Sequence, residues 1–491
     1  GKFIGLNILE QLITTKWNSL PKEQQSGIWN FLIGMILASS NSNTNIELTH
    51  KADHVLIQIL KRDWNESLIK DLIESSSTSL SICQNNMYIL RIIAEEILVN
   101  NNSGSSGSFE EVDFAISKDL TKAKIFKLKN ALFKDFQFIL RFCYEVLNNV
   151  TFDSNSNSIK DIISLANSTI ITLNRYLAWM PIKSAMDSDI VTLLIEKFLV
   201  QNGTRSNTLK CLTTLFNIKN SNYVPGIPDF ETTIIQYFNY ILQIISNNNN
   251  DNNNNNSDIN NNILFLESKT NFNDIYQQSK LEDQLFIQDW EIFLCTFLHC
   301  HRSIIEEICK DSAPQYNKLL LKAHQYILQM TTINDKEIFK IVLDYWHDLV
   351  SSLFIEIENY PFNQINPYMD EVSLGTGALN PSLLKQLPLK RNFYSEICSK
   401  LREIIINCMV KPEEFQITMT EDGNFVREVF TETENIQLYE TEREVLVLLT
   451  HLDVEDMENL LWKQLVQLKE NNILFKNSGE QFNKISWAIG S

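Results

Sequence analysis

Glycine and proline are scarce in this chain, with 13 and 10 among 491 residues. A fold of many short strands spends both at its turns, so their shortage excludes a strand-and-turn architecture and favours helix. No run of 18 apolar residues occurs, and no membrane-spanning helix is expected. A secretory leader pattern is also missing. No CxxC pair is present: Cys83, Cys143, Cys211, Cys295, Cys300, Cys309, Cys398 and Cys408 lie far apart, mostly on apolar helical faces. That spacing reads as reduced, buried thiols of a cytosolic or nuclear protein. Positive charge is short as well, 42 Lys and Arg against 60 Asp and Glu, a net −18. Such a surface repels phosphate backbones, which argues against direct nucleic-acid binding, and suits a basic protein partner. The chain opens at GKFIGLNILEQLI without Met and closes at SWAIGS inside a helical pattern, so a piece of a longer protein is expected.

What is abundant is helical periodicity. In 2–16, Phe3, Leu6, Ile8, Leu9, Leu12 and Ile13 mark a broad stripe, and Pro21 suits the first turn of a helix running through Ile28, Phe31, Leu32 and Met35. Further helices are predicted at 52–64 and 66–76, 82–98 and 120–149, 157–180 and 187–200, 205–217 and 229–246, 282–309 and 314–331, 335–357 and 391–410, with the last between 442 and 471. Each unit is two helices and a short connection, about 40–50 residues, the period of HEAT-type solenoids. One such pair cannot bury its own stripe, so neighbours must stack on it. Polar tracts interrupt the pattern. The longest, 247–262, is nearly all Asn and reads as a disordered surface insertion, and 361–391 reads as a long irregular connection.

Little in the sequence asks for chemistry. Gly375-Thr376-Gly377 lacks the third glycine and the Lys-Ser/Thr pair of a phosphate loop. Cys295 and His299 share a helical face as two metal ligands would, with Cys300 and His301 beside them, but a third and fourth ligand are not visible; core cysteines beside surface histidines fit as well. No GxSxG or HExxH motif surrounds any histidine, and carboxylate pairs such as Glu95-Glu96 and Glu306-Glu307 lie among Lys and Arg on helices. No enzyme activity, metal or cofactor is expected. Trp17, Trp64, Trp179, Trp290 and Trp346 read as core.

One stretch breaks the period. QITMTEDGNFVREVF, 416–430, alternates like a strand, turns at Asp422-Gly423, and alternates again. Glu421, Asp422, Glu428, Glu432, Glu434, Glu440, Glu442 and Glu444 surround it, opposed by Arg427 and Arg443. On the residues alone, a solvated loop and a finger for a basic partner both fit.

Ten segments in register then carry a resemblance: KFIGLNILEQLITTKW (2–17), HVLIQILKRDW (54–64), SICQNNMYIL (81–90), LNRYLAWMPI (173–182), FLCTFLHCH (293–301), EIFKIVLDYWHDL (337–349), VKPEE (410–414), FVREVFTETENIQLY (425–439), LTHLD (449–453) and WAIGS (487–491). Their order and spacing resemble the exportin-1 family of the importin-beta/karyopherin superfamily over nearly the whole chain; the asparagine tract departs from the family pattern. The resemblance implies an all-α HEAT-repeat solenoid with one inserted acidic β-hairpin, corresponding to the amino-terminal half of such a receptor. It implies importin-beta-like, Ran-binding repeats in 1–100, central HEAT repeats in 101–415, the acidic hairpin loop in 416–440 and further HEAT helices in 441–491. It further implies partners: Ran-GTP, leucine-rich nuclear export signal cargo bound just beyond this segment, and Phe-Gly nucleoporins, with shuttling between nucleus and cytoplasm and neither nucleic acid nor membrane as a ligand. The loop acids Glu421, Asp422, Glu428, Glu432, Glu434 and Glu440 are the implied GTPase-binding residues. A HEAT scaffold subunit or an importin-type receptor is the alternative.

Overall fold

The computed structural model describes the chain outside residues 43–45, 99–121, 153–158, 179–181, 218–229, 248–271, 311–313, 361–386, 410–414, 420–424, 430–432, 471–477 and 491. Gly375-Thr376-Gly377 and nearly all of the asparagine tract lie outside the described residues. The rest is helical apart from one strand pair. It divides into two compact units, Gly1–Phe230 and Glu231–Ser491.

In the first unit, α1 (Lys2–Lys16), α2 (Lys22–Ser42) and α3 (Ile46–Arg62) pack together, followed by α4 (Leu68–Ser75), α5 (Leu80–Leu98), α6 (Lys122–Asn149), α7 (Ile159–Leu177) and α10 (Arg205–Phe216). The amphipathic stripes become the core: Leu32, Leu56, Leu60, Leu90, Leu132 and Leu212 are fully buried, each worth ~1.5–3 kcal/mol against exposure. Polar bonds fix the register between helices. Thr172 Oγ1 donates to the Met87 carbonyl (3.0 Å) and the Tyr176 hydroxyl to that of Leu90 (2.9 Å), tying α7 to α5.

The helix expected over 187–200 is broken. Short helices α8 (Ile182–Met186) and α9 (Ile190–Leu193) lead into a π turn, Leu194–Phe198, closed by the Leu199 amide on the Leu194 carbonyl (3.0 Å). The wide turn aims Lys197 at the end of α6, where Nζ donates to the carbonyls of Leu147 (2.9 Å) and Asn148 (2.8 Å). These are carbonyls a helix end leaves unpaired.

The second unit holds α11 (Phe230–Asn247), α12 (Phe272–Gln278), α13 (Leu281–Lys310), α14 (Pro314–Thr331), α15 (Lys336–Glu358), α16 (Lys390–Phe393), α17 (Ser395–Cys408), the strands β1 (Phe415–Met419) and β2 (Phe425–Val429), then α18 (Thr433–Leu452), α19 (Val454–Glu470) and α20 (Ser478–Gly490). Its aromatic centre is Phe238 stacked on Phe297 (3.9 Å) and Trp290 stacked on Phe293 (5.5 Å). Asp335 caps α15, accepting from the amides of Glu337 (3.0 Å) and Ile338 (3.3 Å), worth ~1 kcal/mol.

A single helix expected over 391–410 is interrupted at Tyr394, whose backbone sits at φ −89°, ψ 5°. The kink turns a fully buried ring inward, where its hydroxyl donates to Glu306 Oε1 (2.8 Å). Glu306 is held further by Lys390 Nζ (2.6 Å) and Arg302 (3.4 Å). Next to it, His324 is fully buried. Its Nδ1 lies 2.8 Å from the Leu320 carbonyl and its Nε2 2.7 Å from the Tyr345 hydroxyl. Burial lowers the imidazole to about 4; the neutral ring therefore donates from Nδ1 and accepts at Nε2.

Candidate functional site: the strand pair and its root

β1 and β2 run antiparallel in the register Phe415↔Val429, Gln416↔Glu428, Ile417↔Arg427, Thr418↔Val426 and Met419↔Phe425. Because successive positions alternate across a strand, this register puts positions Phe415, Ile417, Met419, Phe425, Arg427 and Val429 on one face of the ribbon and Glu428 on the other. Glu421, Asp422 and Glu432 lie outside the described residues.

The helix after the ribbon starts at Thr433, nine residues before the 442 expected from periodicity. Glu434 and Glu440 therefore stand on α18 rather than in a loop, and both are exposed. Glu434 in the first turn is favoured by the helix dipole, one reason the helix begins there. α18 runs parallel to α15: Lys336 donates to Asn435 (3.1 Å), His347 lies 3.4 Å from Glu444, and the rings of Phe354 and His451 are 5.6 Å apart.

Arg402 of α17, 2% exposed, ties α17 to the far end of α18 and to α19. Its Nε and Nη2 donate to the Leu449 carbonyl near the end of α18 (3.1 and 2.8 Å), and Nη1 donates to Asp456 Oδ2 of α19 (2.6 Å). Asp453 ends α18 and caps α19 by accepting the Asp456 amide (3.2 Å), while Arg391 approaches its carboxylate at 3.6 Å. Glu442 departs from the acidic-surface reading. It is 4% exposed, its Oε1 has no hydrogen-bond partner, and burial pushes the carboxyl up to about 8 against an opposing pull from Lys484. Its neighbour Cys408 on α17 is pushed up to about 11, first by burial. Both groups are uncharged at neutral pH, so the hairpin's root carries less negative charge than its sequence suggests.

Elsewhere, the CTFLHCHR segment does not bring ligands together. Cys295 and Cys300 are buried, and His299 leans on Asp348 (3.5 Å). His301, expected at the surface, is 3% exposed and packs on Phe297 (4.8 Å). No group of metal-ligating side chains is assembled among the described residues. Trp17, Trp290 and Trp346 are core; Trp179 lies outside the described residues.

Two features of the first unit were not legible in the sequence. An apolar groove of about 1050 Å³ opens between α1 and α2, lined by Leu6, Leu9, Ile28, Phe31 and Met35, with nothing within 4 Å of where side chains at Gly5, Gly27 and Gly34 would begin. A polar seam joins α3 to α5: His54 Nδ1 lies 3.1 Å from Glu96, which also pairs with Lys61, and His50 stacks on Tyr88 (3.8 Å). No sequence spacing announces either, because both depend on how separate helices meet.

Paired amphipathic helices along the described residues, with one ribbon between two of them, define a helical-repeat protein. Residues 47–212 match the family model for exportin 1-like proteins, 318–354 the chromosome region maintenance or exportin repeat, and 390–457 the CRM1/exportin repeat 2. The last match spans α16, α17, the ribbon and α18. Exportin-1 of Schizosaccharomyces pombe is 33% identical over this entire chain, and those of Dictyostelium discoideum and Drosophila melanogaster are 30% identical over the same extent. The chain spans 41% of the first two of these relatives and 40% of the third. A solved structure titled importin13, cytosolic state, superposes on 99% of this chain and 46% of its own with TM-score 0.56 at 12% identity, a likeness of fold alone. The chain belongs to the exportin-1 family.

Proposed function

We propose that this chain is the amino-terminal portion of a nuclear export receptor. It binds the GTP form of the GTPase Ran through the acidic ribbon segment and through residues 1–100, contacts Phe-Gly nucleoporins, and carries leucine-rich export-signal cargo from nucleus to cytoplasm once completed by the rest of the receptor. The observation that carries this reading is the family match over 390–457, which contains the ribbon and both helices at its root. Its chemistry is binding, not catalysis: a basic GTPase surface meets Glu421, Asp422, Glu428, Glu432, Glu434 and Glu440. Exposed acids of one sign raise the encounter rate more than the final affinity. The ribbon's apolar face is suited to lying against a helix while the acids face the partner. Splitting the contact between two surfaces raises total affinity through effective concentration. The comparisons do not favour the scaffold and importin alternatives.

The test is retention of Ran on the immobilised chain, loaded with GTP or GDP, with 415–429 present or replaced by a short Gly-Ser linker. The expected result is GTP-selective retention that weakens strongly, without vanishing, when the ribbon is removed. Equal retention of both nucleotide states contradicts the proposal.

A further inference from the structure

Against a net charge of −18, α6 stands out. Its first half holds Lys122, Lys124, Lys127, Lys129 and Lys134 before the first carboxylate, Asp135. Lys122 and Lys124 in the first turn do not serve the helix, because the dipole disfavours positive charge there. Large aromatics also face solvent: Phe126 is 67%, Phe133 54% and Phe138 49% exposed. Buried Leu128, Leu132, Phe136, Ile139 and Cys143 define the opposite, packed side.

Placed at 3.6 residues per turn, the exposed positions form a continuous arc of about 140°. Phe126 and Phe133 lie on one edge, Lys127 and Lys134 on the other, and Phe138 lies just beyond with Lys70 of α4 over its ring at 5.6 Å. Among the described residues, the acids nearby do not cancel the charge. Asp135 is half-buried and its carboxyl is raised, chiefly by burial, and Glu145 is taken by Arg141 (2.9 Å). Among the described residues, exposed Glu66 is a further acid acting on Asp135.

We infer that the exposed face of α6, with Phe126 and Phe133 beside Lys127, Lys134 and Lys70, is a docking surface for a short acidic polypeptide segment carrying its own apolar side chains. Charge complementarity selects the sign, since the face is a basic island on an acidic chain. Aromatic side chains supply anchors of the kind interfaces concentrate. The face from Phe126 to Phe138 is about 18 Å long, the span of about five or six extended residues. A long polyanion would meet the field of the whole acidic surface beyond the island, which favours a short acidic peptide over nucleic acid or an anionic membrane.

The test uses the whole chain and fluorescence anisotropy of a labelled peptide of roughly ten residues, with Asp and Glu interleaved with Leu and Phe. Saturable binding that weakens roughly tenfold in Lys127→Glu/Lys134→Glu, and falls comparably in Phe126→Ser/Phe133→Ser, is the expected result. These positions are exposed, so unchanged helical circular dichroism and melting will verify that the variants fold. The inference is overturned if the acidic peptide does not bind, if the same peptide with Lys in place of its acids binds equally, or if single-stranded RNA or phosphatidylserine vesicles bind better.

Discussion

On α17, before the strand pair, Arg402 is 2% exposed and donates from Nε, Nη1 and Nη2 to groups of α18 and α19. A few turns away, Glu434 and Glu440 face solvent on α18. The first kind of charge holds shape. It is desolvated, directional and little screened by salt. The second kind does nothing for shape. It is screened within about 8 Å at physiological ionic strength and acts on what approaches. Buried and exposed charges on the helices that flank the ribbon therefore divide their labour, and substitutions on the two sides of that division should behave differently.

The largest effect is expected at Arg402. Arg402→Met removes the guanidinium from the Leu449 carbonyl and the Asp456 carboxylate, leaving them, among the described residues, only the Asp453 amide and the Ser399 hydroxyl, and should cost about 3 kcal/mol, seen as a lowered midpoint in urea. An unchanged midpoint would mean the staple contributes nothing to the packing of α17 on α18 and α19.

Next comes Glu442, whose raised pKa carries a definite sign. A carboxyl that titrates near 4.5 unfolded and about 8 folded binds its proton more tightly in the folded chain. Its contribution is fully present below pH ~4.5 and is lost as pH rises towards 8. Glu442→Gln removes that dependence. The variant should gain on the parent as pH rises from 5 to 8, by on the order of 2 kcal/mol, read from urea midpoints at both ends. A difference between the two proteins that stays constant across this range would show that the carboxyl is not protonated in the fold.

Smaller still is the stability effect of reversing Glu428, Glu432 and Glu434 to Lys, expected within about 0.5 kcal/mol, the usual size for surface charges. Deleting 247–262 should do least of all: a tract whose one apolar residue is Ile259 has almost nothing to bury, so melting should be nearly unchanged. A large drop would mean the tract is packed after all.

Helix positions were largely legible because amphipathic stripes must be buried, and α1, α5, α13 and α15 begin and end within two residues of where periodicity puts them. The misses share a cause. The π turn at Leu194–Phe198, the kink at Tyr394 and the early start of α18 each answer to a partner distant in sequence: the α6 carbonyls, Glu306, and the run of α15. Periodicity carries no record of such partners. Composition likewise counts Glu442 as surface charge, and only packing reveals it as a buried, protonated carboxyl. The site residues Glu421, Asp422, Glu428, Glu432, Glu434 and Glu440 were nominated by resemblance, and their role rests on binding experiments.

The most direct of these is stopped-flow association of the chain with Ran-GTP across a salt series, comparing the parent with Glu428→Lys/Glu432→Lys/Glu434→Lys. The account predicts slower association for the variant and a flatter dependence on salt, with melting unchanged. Rates and salt dependence equal to those of the parent would contradict it.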